Sequence, residues 1–201
     1  IFTLTNGSKN ELLITDVSNG SYTDNNIDKN DINSVRIGTI VTDICDNCFK
    51  DCINLSSVTF DAREFKKLTY TYVDSTSELA SIGSYAFQNS GLISFDIPNT
   101  VISIASSAFS DCSSLTSLLF ESGSQLASIG ENAFRDTSLN TITIPASVTS
   151  IASSAFSGCS SLTSLLFESG SQLTSIVIPA SVTSIASSAF SDCSSLTSVS
   201  F

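Results

Sequence analysis

Residues 97–129 read IPNTVISIASSAFSDCSSLTSLLFESGSQLASI, residues 144–176 return as IPASVTSIASSAFSGCSSLTSLLFESGSQLTSI, and residues 178–201 begin a third time as IPASVTSIASSAFSDCSSLTSVSF. Near-identity at that length means duplication inside one chain, and a repeat of this size is the mark of a stacked array. Weaker copies fall into line on an Ala-Phe or Cys-Phe dipeptide, which places Phe49, Phe87, Phe109, Phe134, Phe156 and Phe190 in one column. An isoleucine precedes each phenylalanine by five residues, at Ile44, Ile82, Ile104, Ile129, Ile151 and Ile185. Three residues after the phenylalanine stands Cys52, Ser90, Cys112, Thr137, Cys159 or Cys193, followed by Leu55, Leu92, Leu115, Leu139, Leu162 or Leu196. Each unit closes on an alternating apolar pair such as Leu118/Phe120, Ile142/Ile144 or Leu165/Phe167.

The closing stretch alternates with period two, so it predicts a short strand with one face buried. Pro98, Pro145 and Pro179 end such strands because proline cannot donate to a ladder. The element that follows, as in Val148 and Ile151, turns the chain inward again. The run Ala-Ser-Ser-Ala-Phe is too short for a long helix and predicts a tight helical turn or irregular arc whose phenylalanine plugs the core. A unit of this kind buries one edge only and needs neighbours on both sides, which makes a solenoid with a continuous parallel ladder.

The pattern L-x-x-I-x-I-P-x-x-V-x-x-I-x-x-x-A-F-x-x-C-x-x-L resembles the Treponema-type, BspA-like class of leucine-rich repeat, over about Ile32 to Phe201. The resemblance implies a right-handed superhelix with a parallel β ladder, short irregular or helical arcs and little regular helix. It further implies an extracellular or cell-surface protein that binds partners or adheres, with no catalytic residues and no cofactor.

Residues 1–31 lie outside the repeat and alternate at Phe2/Leu4 and Leu12/Ile14 around Asn6-Gly7, a hairpin turn that predicts an N-terminal cap. Residues 32–201 form the solenoid. Strand ends at Ile37, Phe60, Ile97, Phe120, Ile144, Phe167, Ile178 and Phe201 are spaced 23, 37, 23, 24, 23, 11 and 23 residues apart. The long spacing holds an insertion at 61–76 that should protrude as a loop or hairpin. The short one, the unit at 168–178, lacks an Ala-Phe arc, so Gln172 to Ile178 must serve as the inward element, as the ladder strand, or as both. Phe201 closes a strand and ends the given sequence, so the expectation is that either the natural chain continues or another molecule covers this open edge.

Composition narrows the chemistry. The chain has 201 residues, 8 Lys+Arg against 19 Asp+Glu, a net charge of −11, and no His, Met or Trp. Its polarity is carried by 43 serines and 20 threonines. Absence of histidine removes Ser-His and Cys-His nucleophile pairs, histidine metal sites and histidine acid–base chemistry. Excess negative charge opposes a nucleic-acid partner, which needs clustered Lys and Arg. No run approaches the ~18 apolar residues needed to span a bilayer.

Candidate sites follow. Cys52, Cys112, Cys159 and Cys193 share a column that Ser90 and Thr137 also fill, so they read as small buried core residues. Cys45-x-x-Cys48 could be a disulfide or, with Cys52, an incomplete metal site, but buried packing is the expected role and no metal is expected. The run from Asp24 to Asp31 lacks the glycine and terminal glutamate of a calcium loop. Asn6, Asn19 and Asn54 head sequons that are glycosylation acceptors in a secreted protein. Residues between the buried ones on each strand face away from the core: Ser57/Thr59/Asp61, Ser94/Asp96, Ser117/Leu119/Glu121, Thr141/Thr143, Ser164/Leu166/Glu168 and Ser175/Val177. That hydroxyl face with isolated apolar spots and a carboxylate fringe suits a protein or glycan partner. The leading expectation is therefore a non-enzymatic binding or adhesion module. The alternative is a structural protein that stacks end to end on its own copies through the C-terminal rung.

Overall fold

The computed structural model describes residues 2–4, 11–14, 29–38, 41–60, 63–66, 71–74, 77–178 and 197–200. It is a parallel β-solenoid with essentially no helix, its helical content among the described residues being one short 3-10 turn at Lys29–Asp31. None of the described residues forms a helix long and apolar enough to cross a membrane.

Alternation along the closing stretch produces the long strands β3 (Ser34–Ile37), β5 (Ser57–Phe60), β9 (Ser94–Ile97), β11 (Ser117–Phe120), β13 (Thr141–Ile144) and β15 (Ser164–Phe167). Their inward residues, such as Phe95, Ile97, Leu118, Ile142 and Leu165, are buried. Ahead of β3, β1 (Phe2–Leu4) and β2 (Glu11–Ile14) pair antiparallel, and β2 then runs parallel to β3 with Glu11 opposite Ser34. The inserted segment contains the antiparallel pair β6 (Arg63–Lys66) and β7 (Thr71–Asp74).

A second ladder is built from two-residue strands, β4 (Asp43–Ile44), β8 (Ser81–Ile82), β10 (Ser103–Ile104), β12 (Ser128–Ile129) and β14 (Ser150–Ile151), paired parallel in one sheet. Their isoleucines turn inward, and all but the half-buried Ile151 are buried. The column read from the sequence is thus a physical stack.

Between the ladders runs the arc, where backbone polarity is settled without a strand or helix. From Phe49 to Phe134, N–H groups two before, at and two after the phenylalanine donate to carbonyls of the next rung; Tyr85, Phe87 and Asn89 donate to Ser106, Ala108 and Ser110 at 3.0, 2.7 and 2.9 Å. The intervening N–H groups close turns three residues back, as Ala86 to Gly83 and Gln88 to Tyr85. To point alternate groups across the stack, residues two before and two after each phenylalanine take positive φ: Asn47 and Asp51, Tyr85 and Asn89, Ser107 and Asp111, Asn132 and Asp136, Ser154 and Gly158. The left-handed region costs an ordinary residue about 1–2 kcal/mol and is tolerated best by Gly, Asn and Asp. The arc phenylalanines stack along the core, Phe49 on Phe87, Phe87 on Phe109, Phe109 on Phe134 and Phe134 on Phe156, with ring centroids 5.1, 5.1, 5.4 and 5.5 Å apart.

Two kinds of rung alternate. In one, two residues separate the cysteine column from the leucine, as in Cys112-Ser-Ser-Leu115, and the strand ends in Phe60, Phe120 or Phe167. In the other only one does, as in Thr137-Ser-Leu139, and the strand ends in Ile97-Pro98 or Ile144-Pro145. Ladder pairing joins the isoleucine-ended strand to the phenylalanine-ended one that follows, β3 to β5, β9 to β11 and β13 to β15. No ladder pairing joins β5 to β9 or β11 to β13.

The short spacing resolves on the same terms. β16 (Ser175–Val177) pairs with β17 (Ser198–Ser200), Ser175 opposite Ser198, as an isoleucine-ended strand pairs with its successor. It lies against β14 of the short ladder and not beside β15. The segment is a ladder strand paired with β17 that also lies against the end of the short ladder without pairing into it.

Candidate functional site

The outer face of the long ladder gathers most of the residues singled out from the sequence. Thr59, Ser94, Asp96, Ser117, Thr141 and Thr143 are exposed, whereas Ser57, Ser164 and Leu166 are half-buried. In register, Asp96 stands opposite Leu119, Thr143 opposite Leu166, and Arg36 opposite Thr59. Leu119 is the apolar summit of the face, 58% exposed. Ser175 is exposed on β16 but belongs with β17, displaced from the main face. Asp61, Asn6, Asn19 and Phe201 lie outside the described residues, as do Cys193 and the side chain of Val177. The end-to-end stacking expectation rests on the C-terminal rung, of which β17 (Ser198–Ser200) is described, with Val199 39% exposed, while Phe201 lies outside the described residues.

Glu121 and Glu168 sit at the fringe of this face but are turned back into the scaffold. The Asn99 N–H, next after Pro98, donates to Glu121 Oε2 at 3.1 Å, while the Glu121 N–H donates to the Ile97 carbonyl at 3.0 Å. The same clamp recurs at the next pair of rungs, Ala146 N–H to Glu168 Oε2 and Glu168 N–H to the Ile144 carbonyl, both 3.0 Å. Each carboxylate satisfies a donor that the proline leaves beyond the end of the ladder.

Threonines and a serine just before the strands carry a further scaffold duty. Ser56, Thr116, Thr163 and Thr197 donate both N–H and hydroxyl to one carbonyl of the preceding rung, those of Asn33, Ile93, Asn140 and Thr174. Much of the hydroxyl content is thereby used inside the solenoid. On the short ladder, the Ser81 hydroxyl and the Thr42 hydroxyl both donate to the Asp43 carboxylate.

The cysteine column is a buried hydrogen-bonded line. The Cys112 thiol donates to the Phe87 carbonyl at 2.9 Å and lies 3.3 Å from Ser90 Oγ; the Cys159 thiol donates to the Phe134 carbonyl at 2.9 Å and lies 3.2 Å from Thr137 Oγ1. Burial pushes the Cys52 and Cys112 thiols up to about 11, and raises Cys159 as well. Thiols of that kind are neither nucleophiles nor metal ligands. Cys45 and Cys48 are joined in a disulfide, their Cα atoms 5.3 Å apart. Among the described residues no three of Cys, Asp and Glu converge on a metal-sized space. Asn54 is exposed and its amide donates to the Asn30 carbonyl at 2.7 Å, tying the first turn to the segment before β3. Ser106 and Ser160 are exposed arc and turn residues, Ser161 is half-buried, and Ser107 is buried at positive φ.

Sequence reasoning missed a cluster on the arc. The Lys50 ammonium lies 5.1 Å from the centroid of the Tyr85 ring, and Asn89 Nδ2 donates to Asp51 Oδ1 at 3.0 Å. The left-handed positions had left a trace, since Asp51, Asn89, Asp111, Asp136 and Gly158 share a column restricted to residues that tolerate them. Tyr85 left none.

This geometry is found in known proteins. Over 85% of this chain and 51% of its own, the pneumococcal vaccine antigen PcpA superposes with a TM-score of 0.54 at 22% identity, so the chain spans about half the length of that antigen. A T. pallidum leucine-rich repeat protein superposes over 100% of this chain and 78% of its own, with a TM-score of 0.61 at 21% identity. At these identities the likeness is one of fold. No curated protein matches the sequence. The BspA type leucine rich repeat region matches in six copies, over residues 20–77, 80–172 and 164–201. With nearly all of its length matched in this way, the chain belongs to the BspA-type leucine-rich repeat family.

Proposed function

We propose that this chain is a non-enzymatic binding module of a cell-surface or secreted protein, and that it presents the long-ladder face to a protein or glycan partner. The observation that carries the reading is Leu119. A leucine 58% exposed at the centre of a well-packed strand contributes nothing to the core, and it shares its strand pair with Ser94, Asp96 and Ser117, which are exposed with it. An apolar spot ringed by hydrogen-bonding groups on a rigid sheet is the arrangement of a small recognition centre with a polar rim. Family membership supports the same reading, because leucine-rich repeat solenoids work through extended surfaces.

The test is a binding screen of the whole chain on immobilised glycans and extracellular-domain proteins, repeated with Leu119→Asp combined with Leu166→Asp. Wild-type protein should bind a defined subset, and the double variant should lose it at least tenfold while its circular dichroism and melting midpoint stay unchanged. Equal binding by wild type and variant would remove the ladder face from the function.

A further inference from the structure

Nine described non-glycine residues hold positive φ, and eight of them are Asn, Asp or Ser; the ninth is Tyr85, at φ 58°. A bulky side chain in the left-handed region is an outlier that persists only when the surroundings or the function retain it. The core does not retain it. Tyr85 is 40% exposed, and its hydroxyl has no hydrogen-bond partner among the described residues. Its column is filled elsewhere by Asn47, Ser107, Asn132 and Ser154, which meet the backbone demand with small polar side chains.

What Tyr85 adds is a flat, partly open aromatic ring on the arc, held by the Lys50 ammonium 5.1 Å from its centroid. Two residues of the same neighbouring rungs, Asp51 and Asn89, are exposed and are fixed to each other at 3.0 Å by the asparagine amide. That bond leaves one carboxylate oxygen of Asp51 and the amide oxygen of Asn89 as acceptors, beside the ammonium and phenol as donors.

We infer that Tyr85, with Lys50, Asp51 and Asn89, forms a saccharide-binding platform on the arc, separate from the ladder face. Sugar rings present an apolar C–H face that packs on an aromatic ring and a rim of hydroxyls that both donate and accept, and the four side chains match that pattern. A cationic guest is disfavoured because the Lys50 ammonium, 5.1 Å from the ring centroid, repels it. An apolar peptide anchor is disfavoured because the ring is itself 40% exposed and Asp51 and Asn89 of the same rungs are exposed polar residues.

The experiment is NMR of the whole chain with ring-labelled tyrosine, titrated with the methyl glycosides of glucose, galactose and N-acetylglucosamine. At least one probe should shift the Tyr85 ring resonance with millimolar affinity. Tyr85→Asn should lose that response more than tenfold and, by relieving the backbone, raise the melting midpoint; Leu119→Asp should bind the probe as the wild type does, so the platform stands or falls independently of the ladder face. Silence of the Tyr85 resonance toward all three probes overturns the proposal. So does retained binding by Tyr85→Asn, a lowered melting midpoint of that variant, or loss of binding by Leu119→Asp.

Discussion

Replacing Phe109 by leucine isolates what the stacked rings contribute beyond apolar volume. Phe109 is fully buried and meets three rings: Phe87 and Phe134 stacked at 5.1 and 5.4 Å, and Phe95 edge-on at 5.1 Å. Phe156 occupies the equivalent place two rungs on, nearly as buried, yet among the described residues it meets only Phe134, at 5.5 Å. Leucine fills most of either site, so the transfer and cavity costs are similar and largely cancel between the two variants. What remains is two extra ring pairs at Phe109, each worth about 0.5–1.5 kcal/mol beyond area burial. Phe109→Leu should therefore destabilise the protein by about 1–3 kcal/mol more than Phe156→Leu. In a chain of this size that is roughly 2–12 °C further depression of the melting midpoint. Calorimetry or denaturant unfolding of the two variants measures the gap. Equal losses would mean that the rings act as plain hydrophobes and that the stack is only a by-product of the repeat.

Burial also sets a pH dependence. Cys112 has its thiol pushed from 9.0 to about 11 by desolvation, so the folded state favours the neutral thiol. Its contribution is fully present below pH 9 and is lost as pH rises toward 11, because the unfolded thiol ionises first. At about 1.4 kcal/mol per unit, stability should fall by up to ~3 kcal/mol across that window, and Cys112→Ala should fall less steeply, as pH-dependent denaturant titrations would reveal. A parallel slope in wild type and variant would contradict it. Gly158 and Gly123 both hold positive φ, at 72° and 75°, but a Cβ on Gly158 would meet Asp136 Oδ1 at 1.9 Å whereas one on Gly123 meets nothing within 4 Å. Alanine at Gly123 should cost only the left-handed conformation, about 1 kcal/mol, and alanine at Gly158 should cost more; comparable melting midpoints for the two variants would refute the contribution of the Asp136 contact.

What could be read from the sequence was whatever repeats in place. The phenylalanine and isoleucine columns each keep one residue type at one offset, and over the described residues each became a physical stack running along the solenoid, while the leucine keeps its type at an offset of five or six. The cysteine column was legible for the same reason, since only small, weakly polar residues share it. The glutamate clamps were not, because Glu121 looks like an outward strand residue until its partner, the Asn99 N–H of the preceding rung, comes beside it in space. The gaps in the ladder escaped because one alignment laid both kinds of rung on one consensus, hiding the single-residue difference between Cys112-Ser-Ser-Leu115 and Thr137-Ser-Leu139. Tyr85 escaped because its importance lies in a backbone angle, and nothing in its neighbours' identities announces a left-handed tyrosine.

The alternation also bears on how the ladder face would be used. Because pairing joins β9 to β11 and β13 to β15 but not β11 to β13, the face beyond the four-stranded sheet of β1, β2, β3 and β5 is a row of two-stranded tiles. One tile carries Ser94, Asp96, Ser117 and Leu119, and the next carries Thr141, Thr143, Ser164 and Leu166 in the same register. The tiles differ where a carboxylate at Asp96 gives way to a hydroxyl at Thr143, and where Leu119 stands clear while Leu166 is half-buried. A partner reading an apolar spot should engage the first tile more strongly, and one reading hydroxyls alone should engage both. The displaced pair of β16 and β17 then begins a tile out of line with them, because the shortened unit sets β16 against β14. Deleting one arc from a solenoid therefore does more than shorten it. A partner that needs tiles in line should engage no strand beyond β15, because β16 does not lie beside it.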